Sequence, residues 1–319
     1  MALSASTDYS SDRDSLITQA YRILGAIRTG GTATANELSD ATVTLNMMLK
    51  AWQSYGLQLW VVKRATLIPS KGTQSYSLGG TGDHVSLSMS KTEMRVAGVA
   101  SDTTLEVDST SGMTAADNIG IVLDDGTTQW TTISSVTDSD TVVITTGLTS
   151  AAAVDQHIYW YTTKIDRPHE LLEVYRRQYD DVIDVPVIRL SRTDYYTLSD
   201  KDTEGTIVNF YYDPQLTDSV LYVWPTADSN FANNYTLELL IKKPFDDLDS
   251  ATDDFEFPQE WYEAIVYGLA ERIAPMIGYP IQDRQLLKVE ARQYLDLALT
   301  FDHEHTNITF TADESRRSS

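Results

Sequence analysis

Leu38, Ala41, Leu45, Met48, Leu49 and Trp52 recur at i, i+3, i+7, i+10, i+11 and i+14, the spacing of one helical stripe and of no strand. A long helix is therefore predicted from Ala35, with Asn36 as its cap, Glu37 at the positive end of its dipole and Gly56 as its stop. Upstream, Asp12-Arg-Asp-Ser opens a second periodic segment with Leu16, Ile17, Ala20, Ile23, Leu24 and Ile27 on one face, ended by Gly30-Gly31. The two read as a helical hairpin.

Beyond it the period changes. Leu59 to Ile68, closed by Pro69, and Ser75 to Leu78 read as strands. From Val96 to Tyr161 short alternating runs such as TLEVD, IGIVLDDG, TQWTTISSV and TVVITT come between turn residues, the texture of a small all-β module inserted in a parent fold. Strand candidates then resume near Leu171 and at Val208 to Tyr212, Val220 to Trp224 and Tyr235 to Lys243. An acidic linker, Asp246 to Glu256, delivers the chain to two more helices. One starts at Pro258 with Trp261, Ala264, Ile265, Leu269 and Ile273 in a stripe. The other carries Leu287, Ala291, Tyr294, Ala298 and Phe301 on one face. Four stripes need cover. The expected fold is α+β, a helical core from the N-terminal and C-terminal helix pairs, with a β-rich middle carrying the inserted all-β domain. Its expected parts are 1–95 (helical hairpin and first strands), 96–161 (inserted domain), 162–254 (β-rich part of the core), 255–302 (C-terminal helix pair) and 303–319 (a C-terminal arm). The predicted core is Leu38, Leu45, Met48, Leu49, Trp52, Trp261, Ile265 and Leu269.

Charge narrows the functions. Acids outnumber bases 46 to 24 for a net charge of −22, so a general nucleic-acid binder, which must meet phosphates with Lys and Arg, is not expected. With no cysteine there is no thiolate metal site, disulfide framework or Cys nucleophile. No apolar run approaches the roughly 20 residues of a membrane span, and the polar start MALSASTDYSSDRD has the form of no export signal.

Candidate chemistry is sparse. The acidic pairs Asp124-Asp125, Asp138 with Asp140, Asp180-Asp181, Asp246-Asp247 and Asp253-Asp254 lack the spacing of a calcium loop and read as solvated turns. His303 and His305 have no third ligand, His84, His157 and His169 are scattered, and no G-x-S-x-G is present. Gly79-Gly80-Thr81-Gly82 lacks the Lys of a phosphate loop and reads as a flexible turn. No catalytic, metal or cofactor site is predicted. In the polar tail, TNITFT alternates like a strand, and Ile308, Phe310, Arg316 and Arg317 make a candidate arm for a partner or neighbouring subunit.

The segment DSLITQAYRILGAIRTGGTATANELSDATVTLNMMLKAWQSYGLQLWVVKRATL, followed in order by VLYVWPTAD, YTLELLIKKPFDDLD and DFEFPQEWYEAIVYGLAERIAPMIGYP, resembles the tail accessory factors, or head-to-tail adaptors, of short-tailed bacteriophages. The β module from Val96 to Tyr161 lies outside the resemblance. The resemblance implies a structural part of the virion, assembled in the bacterial host cytoplasm, and not an enzyme. It implies a homo-oligomeric ring, expected to be a dodecamer, between the portal protein and distal tail proteins (nozzle, hub or fibre), with DNA passing its channel unbound and no membrane contact. The competing expectation is a cell-wall hydrolase with Glu260 or Glu263 as its acid, or a carbohydrate-binding protein.

Overall fold

The computed structural model describes residues 11–54, 59–179, 183–251, 253 and 256–302. The chain divides into two compact units, Met1–Trp60 with Phe245–Ser319, and Val61–Pro244.

The first unit opens with α1 (Arg13–Ile23) and α2 (Ala35–Trp52). Asp12 caps α1 by accepting from the Ser15 N–H at 2.7 Å. The helix ends sooner than Gly30-Gly31 would place it, because Gly25 takes a left-handed φ of 66° just past the last turn. Thr34, not Asn36, caps α2: its hydroxyl accepts from the Glu37 N–H, and the Glu37 carboxylate accepts from the Thr34 N–H at 2.7 Å. This reciprocal box satisfies two orphan donors at once, which Asn36 cannot do from inside the first turn.

The second unit begins with β1 (Val62–Leu67), β2 (Ser75–Leu78) and β3 (Val85–Ser86). A second sheet follows, from β4 (Ser90–Glu93), β5 (Thr104–Glu106), β6 (Asn118–Val122), β7 (Thr128–Val136), β8 (Thr141–Ile144) and β9 (His157–Tyr161), in the order β4-β9-β6-β7-β8-β5. A bridge between Met94, just past β4, and Val107, just past β5, links the two ends of that order. The chain then returns through β10 (Glu170–Gln178), β11 (Asp184–Arg189), α3 (Arg192–Thr197), β12 (Glu204–Gly205), β13 (Asn209–Asp213), β14 (Ser219–Trp224), β15 (Thr226–Ala227), α4 (Ser229–Asn234) and β16 (Tyr235–Lys242). The larger sheet has eight strands in the order β2-β14-β13-β11-β10-β16-β1-β3.

Each sheet has its own core. Leu67, Leu78, Leu171, Phe210, Leu221, Leu237 and Leu239 fill one. Met94, Leu105, Ile119, Ile121, Val142 and Ile158 fill the other. The turn Asp124-Asp125-Gly126 joins β6 to β7, with Gly126 at a φ of 84°. Gly79 and Gly82 are packed, not flexible: a Cβ on Gly79 would sit 1.9 Å from Asp218 Oδ1, and one on Gly82 2.3 Å from the Ser77 carbonyl oxygen.

Back in the first unit, α5 (Tyr262–Ile273) and α6 (Ile281–Phe301) complete the helices. Leu45, Met48, Leu49 and Trp52 of α2 and Ile265 and Leu269 of α5 are buried, as is Trp261 just before α5; Leu38 is half-buried. Gly268 brings α2 and α5 close, since a Cβ there would lie 3.0 Å from Trp52 and 3.1 Å from Met48. Trp52, Trp60, Phe245, Phe257 and Trp261 form one aromatic cluster, with Trp60 edge-on to Trp261 at 5.0 Å.

The expectation of a helical core carrying a small inserted all-β domain is overturned. Strands dominate, and the larger unit is built on sheets of eight and six strands. Helical stripes are local and stand out in a sequence, whereas β16 pairs with β1 across more than a hundred residues of chain and with β10 across more than fifty, which no local period reveals.

Candidate functional site

The helical unit exposes large apolar residues on more than one element. α6 is 21 residues long and apolar on two faces. Leu287, Ala291, Leu295 and Ala298 point inward, while Leu286, Val289, Leu297 and Phe301 are 63%, 54%, 64% and 76% exposed. Those four lie on one side of the helix as two apolar pairs, Leu286 with Val289 and Leu297 with Phe301, with Gln293 between them. Phe301, expected on the inward face, belongs to this outer one. Tyr294 is half-buried and its ring lies 4.5 Å from that of Tyr267.

α2 carries a second open patch. Val43 and Met47 are exposed one turn apart. The Thr44 hydroxyl reaches the sulfur of Met276 at 4.0 Å, so apolar surface continues from α2 to the exposed Met276 and Ile277 after α5. Of the acidic segment expected as a linker, Asp247 to Asp249 are held in place. Leu248 is buried, its N–H donates to Asn46 Oδ1 at 3.1 Å, Arg13 donates to the Asp249 carbonyl at 2.9 Å, and Lys50 pairs with Asp247 at 2.9 Å. At the end of α6, Asp302 Oδ1 accepts from the Leu59 N–H at 2.7 Å.

In the β unit, a cleft of about 720 Å³ lies where the two sheets adjoin. Arg64 and Thr66 of β1, Arg177 of β10, and Thr236 and Glu238 of β16 share one face of the larger sheet, and Leu87, Met89, Ser90 and Lys91 face them. The buried Glu238 carboxylate accepts from Arg64 Nε at 2.8 Å, Thr66 Oγ1 at 3.2 Å and Thr236 Oγ1 at 3.1 Å. Asp184 is held by two guanidinium groups at once, Arg64 Nη2 at 2.9 Å and Arg177 Nε and Nη2 at 2.8 and 3.0 Å. The bond from Arg177 and then that from Arg64 hold the Asp184 carboxyl below its ordinary range against its partial burial. Burial pulls the Arg64 value down, but its bonds to Glu238 and Asp184 outweigh that and raise it. The array is wired in advance, and these shifts keep Arg64 and Asp184 charged at neutral pH.

Nearby, His84 stacks on Trp130 at 4.1 Å and its Nδ1 lies 2.6 Å from the Tyr161 hydroxyl. Burial, and then the Lys164 charge, push His84 down to about 4. Glu260 and Glu263 are exposed at the start of α5. The acidic turns are tied into the fold: Asp124 accepts from the Ala153 N–H, Asp125 from Thr127, and Asp140 pairs with Arg95. Among the described residues no group of three His, Cys, Asp or Glu could hold a metal ion, and no helix is long and apolar enough to cross a membrane. Ile308, Phe310, Arg316 and Arg317 of the candidate arm lie outside the described residues, as do His303, His305, Asp180-Asp181, Asp254 and Gly56.

No family model and no curated protein matches the chain. Among solved structures it is similar to VP17, a capsid protein of bacteriophage P23-77, with 12% identity and a TM-score of 0.17, over 56% of this chain and 82% of that one. A likeness at that score carries no argument about fold or role.

Proposed function

We propose that the protein is a structural component of a bacteriophage virion, a head-to-tail adaptor that forms a ring beneath the portal and offers distal tail proteins their attachment site. The observation that carries this reading is the outer stripe of α6, four large apolar residues exposed along one helix face. A ring built head to tail needs two different surfaces on each subunit. The α6 stripe and the Val43, Met47 and Met276 patch supply two on separate helices. The four ordered segments that resemble the adaptor family support the same role. A net charge of −22 suits a channel wall that DNA passes without adhering, since adhesion to phosphates needs cations. The ring is assembled in the host cytoplasm, and its expected number is twelve subunits.

Light scattering behind size exclusion tests this. The chain alone or mixed with portal protein should elute as a high-order ring or a portal complex. A monomer that ignores portal but cleaves peptidoglycan would replace the adaptor reading by the hydrolase one.

A further inference from the structure

The cleft in the β unit combines two features that neither the packing of the sheets nor the adaptor reading requires. The first is charge. In a chain with 46 acids against 24 bases, Arg64, Lys91 and Arg177 line one cleft; among the described residues the carboxylates that meet them are Glu238 in the lining and Asp184 beside it, so the cluster carries one positive charge in excess. Both arginines spend Nε and Nη2 on Asp184 and Glu238, and among the described residues neither Nη1 donates to any protein acceptor. Lys91 Nζ rests 3.8 Å from the centre of the Tyr179 ring and donates one proton to the Tyr179 carbonyl at 2.5 Å. Donors beyond those satisfied internally thus remain on all three cations.

The second feature is backbone. β1 pairs with β16 at every residue from Val62 to Leu67, but with β3 only at Thr66 and Leu67. Among the described residues no strand lies along the other side of Val62, Lys63, Arg64 and Ala65. The chain leaves β3 for β4 at that point, and Leu87, Met89, Ser90 and Lys91, which make the departure, are walls of the cleft. An unpaired strand edge is a template for another extended chain, and here it opens beside the cationic cluster.

We infer that this cleft is a docking site for an extended acidic segment of a partner protein, which adds as a strand on the free edge of β1 and sets its carboxylates against Arg64, Lys91 and Arg177. Strand addition supplies the main-chain bonds, and alternate side chains of the segment point into the cleft. The preorganised Arg–Asp–Arg–Glu array keeps the two guanidinium groups in place before the segment arrives, so little ordering accompanies binding. Exposed Leu87 and half-buried Met89 give the side chains between the acids an apolar rim. The inference stands apart from the adaptor reading, because it rests on the β unit alone.

The test uses the full chain and three blocked eight-residue peptides: alternating glutamate and threonine, the same with glutamine for glutamate, and the acidic peptide N-methylated at every residue. Titration calorimetry should find the acidic peptide bound, and the other two weaker by about tenfold or more, one having lost the charge and the other the strand bonds. Hydrogen exchange at the amides of residues 62–65 should slow only with the acidic peptide. Lys91→Glu, at an exposed position, should weaken that peptide by about tenfold while the circular dichroism spectrum is unchanged. Equal binding by the acidic and N-methylated peptides would reduce the site to unspecific charge attraction and overturn the inference. So would absence of binding at about 1 mM peptide, the upper end of weak peptide affinities. Should Lys91→Glu fail to fold, the peptide comparison on the unaltered chain still decides.

Discussion

α5 and α6 are neighbours in one helical unit, and they spend their apolar residues differently. α5 buries Ala264, Ile265, Leu269, Ala270 and Ile273, and also Tyr262 and Val266, so that it is covered on almost every side. α6 buries only Leu287, Ala291, Leu295 and Ala298 and leaves a second stripe in the open. α5 packs against α1, α2 and α6, whereas α6 leans chiefly on α5. Position decides: a helix in the middle of a bundle finds partners for every face, and one at its edge must find the rest on another molecule or leave them wet. The same kind of amphipathic material is buried in one helix and partly left open in the other.

Four variants test how each region uses its residues. The largest effect is expected for Leu45→Asp, which places a carboxylate at a position with no exposed surface. A buried unpaired charge costs several kcal/mol, so the helical unit should not fold, and a native-like melt would break the assignment of α2 to the core. Next is Gly268→Val. The new methyl groups meet Trp52 and Met48 where a Cβ alone is already at 3.0 and 3.1 Å, and overpacking should lower stability by about 1–3 kcal/mol in urea denaturation.

A third effect, of about 1–2 kcal/mol after allowance for solvent screening, concerns the β unit and acid. His84 sits at about 4, below the ordinary 6.5. The unfolded chain therefore takes up this proton at higher pH than the folded one does. Stability from this group is complete above 6.5, falls as pH drops from 6.5 to about 4, and is level below that. Asp184, with its value lowered, adds a loss only as pH falls through the acid range under its ordinary value. His84→Phe keeps a ring against Trp130 and should flatten the decline between pH 7 and 5 in urea midpoints; an unchanged slope would assign it to other groups. The smallest effect on stability is expected on the open face of α6. Leu286→Ser with Leu297→Ser should stay within about 0.5 kcal/mol of the parent monomer, as surface changes do. The same pair should abolish the high-order species in light scattering. A large loss of monomer stability would mean that this face is covered within the chain.

Much of the local structure was legible. The stripe Ala41, Leu45, Met48, Leu49 and Trp52 is the buried face of α2. The runs TLEVD, IGIV, TQWTTISSV and TVVI each hold a strand. Thr34, three residues before Glu37, and Gly25, just past the end of α1, are a readable cap and stop, and they act in place of Asn36 and Gly30-Gly31. Phe301 was assigned to the inward stripe because a helical wheel gives an angle and not the reach of the neighbouring helix.

The sequence by itself determined the elements, the absence of cysteine chemistry and the acidic balance, because period, turn residues and charge are properties of a chain read a few residues at a time. Only the tertiary structure decided that strands outweigh helices in the architecture. It decided too that Arg64, Arg177, Asp184 and Glu238 meet on four adjacent strands, and that β3 stops short and leaves an edge of β1 open. Those facts depend on pairings far apart in the chain, such as Arg64 with Glu238, 174 positions away. Such contacts are selected by burial and register over the whole chain, and they leave no periodic trace in the segments they join.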